Sequence, residues 1–156
     1  KQSFFYGTSF FEDHEEMKKK HIKRRKKAYL GSIQHFFKSL YFNKVEENEF
    51  AVFKNSFQVP SKSILKVEKQ NSNSFLKLGE SDAQKNADFY KRTGKEVPYF
   101  FRVSLLYKKE QTDIRFTSNS IQFDKYGNYF PVQDVLLIGE MAKNKLGGML
   151  PSNYEL

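Results

Sequence analysis

Three histidines and one dense basic run are the groups in this 156-residue chain whose types and spacing could do chemistry. His14 and His21 stand seven positions apart, so a continuous helix would put them on one face, and Glu15 beside them could complete a weak metal site. That spacing is not the paired-histidine helix of a zinc peptidase. Cysteine is absent, which removes disulfides, thiolate ligands and cysteine nucleophiles. His35 adjoins Phe36 near an apolar stripe, where a satisfied, partly buried histidine is the simpler reading. Serine is plentiful, yet no Gly-x-Ser-x-Gly elbow accompanies it, and neither a Walker-type nor a dinucleotide-type glycine pattern occurs. Gly147-Gly148, followed by Met149-Leu150-Pro151, reads as a helix stop rather than a phosphate cradle. These residues present no catalytic constellation. The expectation is a protein that is not an enzyme and needs no metal or other cofactor.

The basic run offers different chemistry. From Lys18 to Lys27, eight of ten residues are Lys or Arg, while the whole chain carries a net charge of +9. Lys18, Lys19, Lys20, Lys23, Arg24, Arg25, Lys26 and Lys27 are therefore the candidate contacts to an anionic partner. Interleaved with His21 and followed by Tyr29, they could neutralise phosphates and stack a base. Three points weigh against nucleic acid. Charge runs are usually solvated helix faces, and the neighbouring aromatics stand at core spacing. No recognised nucleic-acid motif accompanies the run either.

Positioning these groups falls to a helix. Ile22, Tyr29, Ile33, Phe36, Phe37 and Leu40 recur at spacings of three, four and seven, which predicts one amphipathic helix from about Glu15 to Phe42. Acidic Glu12, Asp13, Glu15 and Glu16 precede the bases, the order that complements a helix dipole. Gly31 inside that helix costs about 1 kcal/mol relative to Ala, and a close backbone approach would explain it.

Around the helix the pattern is β-like. Lys1 to Asp13 reads as strand, turn, strand. Short runs at Phe50 to Phe53, Ile64 to Val67 and Phe75 to Leu78 follow, with residues 68–74 as a hairpin tip or loop. Asp82 to Tyr90 suits a short helix. The strongest strand spans Tyr99 to Lys108, with Phe101, Val103, Leu105 and Tyr107 on one face. Strands at Thr112 to Ser118 and Ser120 to Asp124, a turn at Gly127-Asn128 and a short buried strand at Val135 to Ile138 complete the series. Residues 140–146 suit a last helical turn or two. The fold class expected is α+β, one long amphipathic helix packed on a mainly antiparallel sheet, in a single domain over residues 1–156.

Size and composition bound the rest. Aromatics make up 17% of residues, with 17 Phe, too many for a disordered tail. No apolar run reaches the roughly 18 residues of a membrane-spanning helix. The chain begins at Lys1 rather than Met and shows no signal peptide, so we read it as a fragment or processed product.

Two patches carry a family resemblance. One is Ala28-Tyr29-Leu30-Gly31-Ser32, then His35-Phe36-Phe37 and Ser39-Leu40. The other runs through Ile121, Phe123 and Gly127 to Gly139-Glu140-Met141-Ala142, then Met149-Leu150-Pro151 and Tyr154. Together they resemble the C-terminal part of the carboxypeptidase-regulatory-like-domain proteins of Bacteroidota. Lys38 and Asn153 depart from that pattern, which usually has Arg and Asp there. The resemblance implies the C-terminal part of a longer exported chain, in the periplasm or at the cell surface in association with the outer membrane. It does not imply peptidase activity. The function expected is protein–protein association in the cell envelope, as an accessory of a secretion, gliding or outer-membrane transport assembly. The alternative is nucleic-acid or anionic-polymer binding through residues 18–27.

Overall fold

The computed structural model describes residues 19–70, 73–78, 81–95, 100–143 and 150–154. The expected strand–turn–strand over Lys1 to Asp13, the helix start before Lys19 and the residues after Lys143 up to Met149 lie outside the described residues, as do 71–72 of the expected hairpin tip.

Two short helices occupy the stretch read from sequence as one. Helix α1 spans Lys19–Tyr29 and α2 spans Ile33–Tyr41. The break has a local cause. Gly31 takes φ +77, a left-handed conformation that glycine adopts without a Cβ penalty. Ser32 is then the N-cap of α2, with its hydroxyl accepting from the His35 backbone N–H at 3.2 Å. The His35 ring reaches back, its Nδ1 accepting from the Gly31 N–H at 3.2 Å. This pair satisfies two backbone donors at the junction, much as a capping box does. The expected long helix is thus corrected: the apolar stripe belongs to α2 and the end of α1, and Ile22 is 49% exposed.

The expected single sheet is corrected as well. Strands β1 (Phe50–Lys54), β2 (Phe57–Val59), β3 (Leu65–Gln70), β4 (Asn73–Leu78), β5 (Phe101–Tyr107), β6 (Glu110–Phe116), β7 (Ser120–Phe123), β8 (Tyr129–Phe130) and β9 (Val135–Gly139) form two antiparallel sheets. One has the order β2-β1-β5-β6-β9, the other β3-β4-β7-β8. Although β7 follows β6 at hairpin distance, it pairs with β4, Leu76 opposite Ile121. Helices α3 (Ser61–Ile64) and α4 (Ser81–Thr93) connect strands. Strand β2 and helix α3 were not read from the sequence, because Gln58, Pro60 and Lys62 interrupt any apolar period there.

Helix α2 holds the sheets together. Phe36 meets Phe50 of β1 with ring centroids 5.5 Å apart, while Phe37 stacks on Tyr129 of β8 at 4.8 Å and lies 5.4 Å from Phe123 of β7. Both are fully buried, in a core that includes Val103, Leu105, Ile114, Leu76 and Ile121. The buried face of β5 is the one its alternation predicts: Phe101, Val103, Leu105 and Tyr107. The turn after β7 docks on α2 at Gly127, where a Cβ would lie 2.0 Å from the Gln34 carbonyl oxygen.

Truncating Phe36 to Ala removes a filled site between helix and sheet. It should cost about 3–5 kcal/mol, read as a lower urea midpoint with unchanged slope. Gly31→Ala should also destabilise, by more than about 1 kcal/mol. A left-handed L-residue is penalised there, and the new Cβ would sit 2.5 Å from Cδ1 of the Tyr107 ring.

Candidate functional site

Helix α1 presents its bases to solvent. Lys19, Lys20, Lys23, Arg24, Lys26 and Lys27 are exposed, Arg25 is half-buried, and Lys18 lies outside the described residues. Tyr29, the aromatic a base would need for stacking, is buried against the His35 and Tyr154 rings, at 4.9 and 5.4 Å. The helix therefore offers charge without an accessible stacking ring beside it.

Part of that charge borders a cleft. Lys23, Lys26 and Lys27 line a hollow of about 780 Å³, together with Lys108 and Lys109 from the β5–β6 turn and Lys143 from the 3-10 turn Glu140–Lys143. Leu30, Gly31, Tyr107 and Met141 line it as well. Lysines outnumber glutamates six to two around the wall. Lys19, Lys20, Arg24 and Arg25 are not among its lining residues.

Each element is aimed by packing. Tyr107 closes β5 and presses on Gly31, so the helix break and the hairpin end meet at one ring. The same ring lies 4.9 Å from Phe50 and 5.8 Å from His35, which anchors the cleft floor to the core. Beyond Tyr107, Lys108 holds φ 56 in a two-residue turn, since Tyr107 pairs directly with Glu110. Asn or Gly adopts that conformation with less strain. Met141 is fixed by its N–H, which donates to the buried Thr112 hydroxyl at 3.0 Å. Lys143 bonds Glu140, and Lys108 lies 3.8 Å from Glu49. Those two carboxylates offset part of the charge at Lys143 and Lys108, so Lys23, Lys26, Lys27 and Lys109 are the main positive groups of the cleft.

Lys108, Lys109 and Lys143 were missed from sequence. The available signal was the Lys108-Lys109 pair sitting between two strongly alternating runs, which marks it as a hairpin tip.

Among the described residues the remaining candidate groups lie apart from this cleft. His21 is exposed on α1. His14, the other half of the weak metal candidate, lies outside the described residues. His35 is only 7% exposed, and burial followed by the nearby Lys38 charge lowers its pKa from 6.5 to about 4. The Ser104 hydroxyl donates to Asp113 at 2.5 Å, and Arg102 binds the same carboxylate. Burial pushes that carboxyl up, but Ser104 and Arg102 outweigh it and hold Asp113 below its usual range. An ion-paired carboxylate held below its usual range is only a weak base toward the Ser104 hydroxyl. Among the described residues no three His, Asp or Glu groups converge as metal ligands, and no helix is long and apolar enough to cross a membrane.

Comparison with models of known protein families, with characterised proteins and with solved structures gives no match.

The buried histidine makes acid stability a test of this geometry. The folded state favours neutral His35, so between pH 6.5 and about 4 the unfolded chain binds the extra proton. Stability should be full above about pH 6.5 and fall through that window, by about 3 kcal/mol in all. Asp113 and Glu46, both held below their usual range, add to the loss further into acid. An NMR titration of the His35 ring, alongside urea midpoints at each pH, checks it. A His35 pKa near 6.5 with flat midpoints would contradict the buried placement.

Proposed function

We propose that this chain is a non-enzymatic association module that holds an acidic segment of a protein partner in the lysine-rimmed cleft between α1 and the β5–β6 turn. The observation that carries the reading is the convergence of six lysines from three separate elements on one hollow. Long-range attraction speeds encounter with an acidic partner. The floor of Leu30, Tyr107 and Met141 supplies the apolar anchor that a protein interface needs beneath its charged rim. One feature favours a protein over nucleic acid: Tyr29 is buried and cannot stack a base.

A second reading rests on Lys19, Lys20 and Arg24, which are exposed on α1 and do not line the cleft. They suit the sequence-based alternative of an anionic polymer lying along the helix. The resemblance noted above extends the first reading to an exported envelope protein, attached to a secretion, gliding or outer-membrane transport assembly. That extension rests on the two sequence patches alone.

Titration with an acidic peptide carrying one Leu or Phe anchor, and in parallel with a single-stranded oligonucleotide, separates the readings. The peptide should bind more tightly at physiological salt, and Lys23→Gln with Lys26→Gln and Lys109→Gln should weaken it at least about tenfold, about 1.4 kcal/mol. Tighter oligonucleotide binding, abolished by Lys19→Gln with Lys20→Gln and Arg24→Gln, would replace it with the second reading.

A further inference from the structure

A second groove lies at the other end of α2, away from the lysine-rimmed cleft. It encloses about 620 Å³ between the end of α2 and the start of β3. That falls within the roughly 300–1,000 Å³ of small-molecule sites. Its chemistry differs from the first cleft. Tyr41 and Phe42 line it together, their rings 5.1 Å apart and near perpendicular, and Phe42 is 50% exposed. Lys62, Lys66 and Lys69 line it too, and no acidic residue does. Lys69 places its Nζ 4.7 Å from the Tyr41 ring centroid, so cation and aromatic face stand side by side. Glu46, bonded to Ser61, offsets part of the Lys62 charge and leaves Lys69 as the main positive group, since Lys66 takes the opposite face of β3.

We propose that this groove binds a nucleotide, with its planar base stacked on Phe42 and its phosphates held by Lys69 together with Lys62. Stacking on an aromatic ring tolerates any base because each has a π-face. Lysine serves phosphate as a compact point charge without demanding bidentate geometry. The groove volume suits a mononucleotide rather than a polymer track. Asn43, at φ 58 just past the helix end, adds an amide to the same wall where the edge of a base would lie. The site is independent of the acidic-partner cleft and stands or falls separately.

Backbone NMR of the full chain, titrated with ATP, adenosine and tripolyphosphate, tests this. ATP should shift amides at 41–45 and 61–69 saturably, with adenosine and tripolyphosphate each at least about tenfold weaker. Phe42→Ala and Lys69→Gln change exposed side chains and should each weaken ATP at least about tenfold, while Lys26→Gln with Lys109→Gln leaves it unchanged. If Phe42→Ala fails to fold, Lys69→Gln and the comparison of the three probes decide the matter. Tripolyphosphate binding as tightly as ATP, shifts centred on residues 23–30 and 108–110, or ATP binding unmoved by Lys69→Gln would overturn the proposal.

Discussion

The contact between Gly31 and the Tyr107 ring governs much of this molecule. A Cβ at position 31 would lie 2.5 Å from that ring, so any residue but glycine is strained there. The left-handed turn that glycine allows separates α1 from α2. Freed from α1, helix α2 wedges between two sheets, with Phe36 facing one and Phe37 the other. An unbroken helix could not do both and also lay its basic end across the β5–β6 turn. The cap that Ser32 and His35 build at the break holds the geometry in place.

The same contact links the core to the candidate site. Tyr107 touches Phe50 and His35 on its inner side and lines the lysine-rimmed cleft on the other. Lysines that would repel one another in isolation are thus fixed around an apolar floor by side chains that are themselves buried. Such repulsion is a cost to the free protein, and an acidic partner relieves it. That is the physical reason to read the cleft as built for association rather than as surface charge.

Particular elements, though not their arrangement, were legible in the sequence. The alternation of Phe101, Val103, Leu105 and Tyr107 gave the central strand and its buried face, and the stripe from Tyr29 to Leu40 found the side chains that α2 buries. The break at Gly31 was not read, because Tyr29 and Ile33 are four apart and keep the helical period across a turn that is not helical. Gly31-Ser32 was the visible signal: glycine suits a helix end and serine a helix start. The second sheet was hidden for another reason. Strand β7 follows β6 closely, and only long-range packing sends it to β4 instead. The site was half visible. A charge run shows in one dimension, but lysines 108, 109 and 143 join lysines 23, 26 and 27 only in the folded chain.

The central claim is that charge in this cleft, rather than general basicity, selects the partner. Charge reversal with rescue measures it most directly. A chain carrying Lys26→Glu and Lys109→Glu is titrated with an acidic anchored peptide and with the same peptide in which each Glu is replaced by Lys. The account predicts that the reversed chain loses the acidic peptide and gains the basic one, while circular dichroism stays unchanged. A reversed chain that still binds the acidic peptide, or that binds neither peptide while remaining folded, would contradict it.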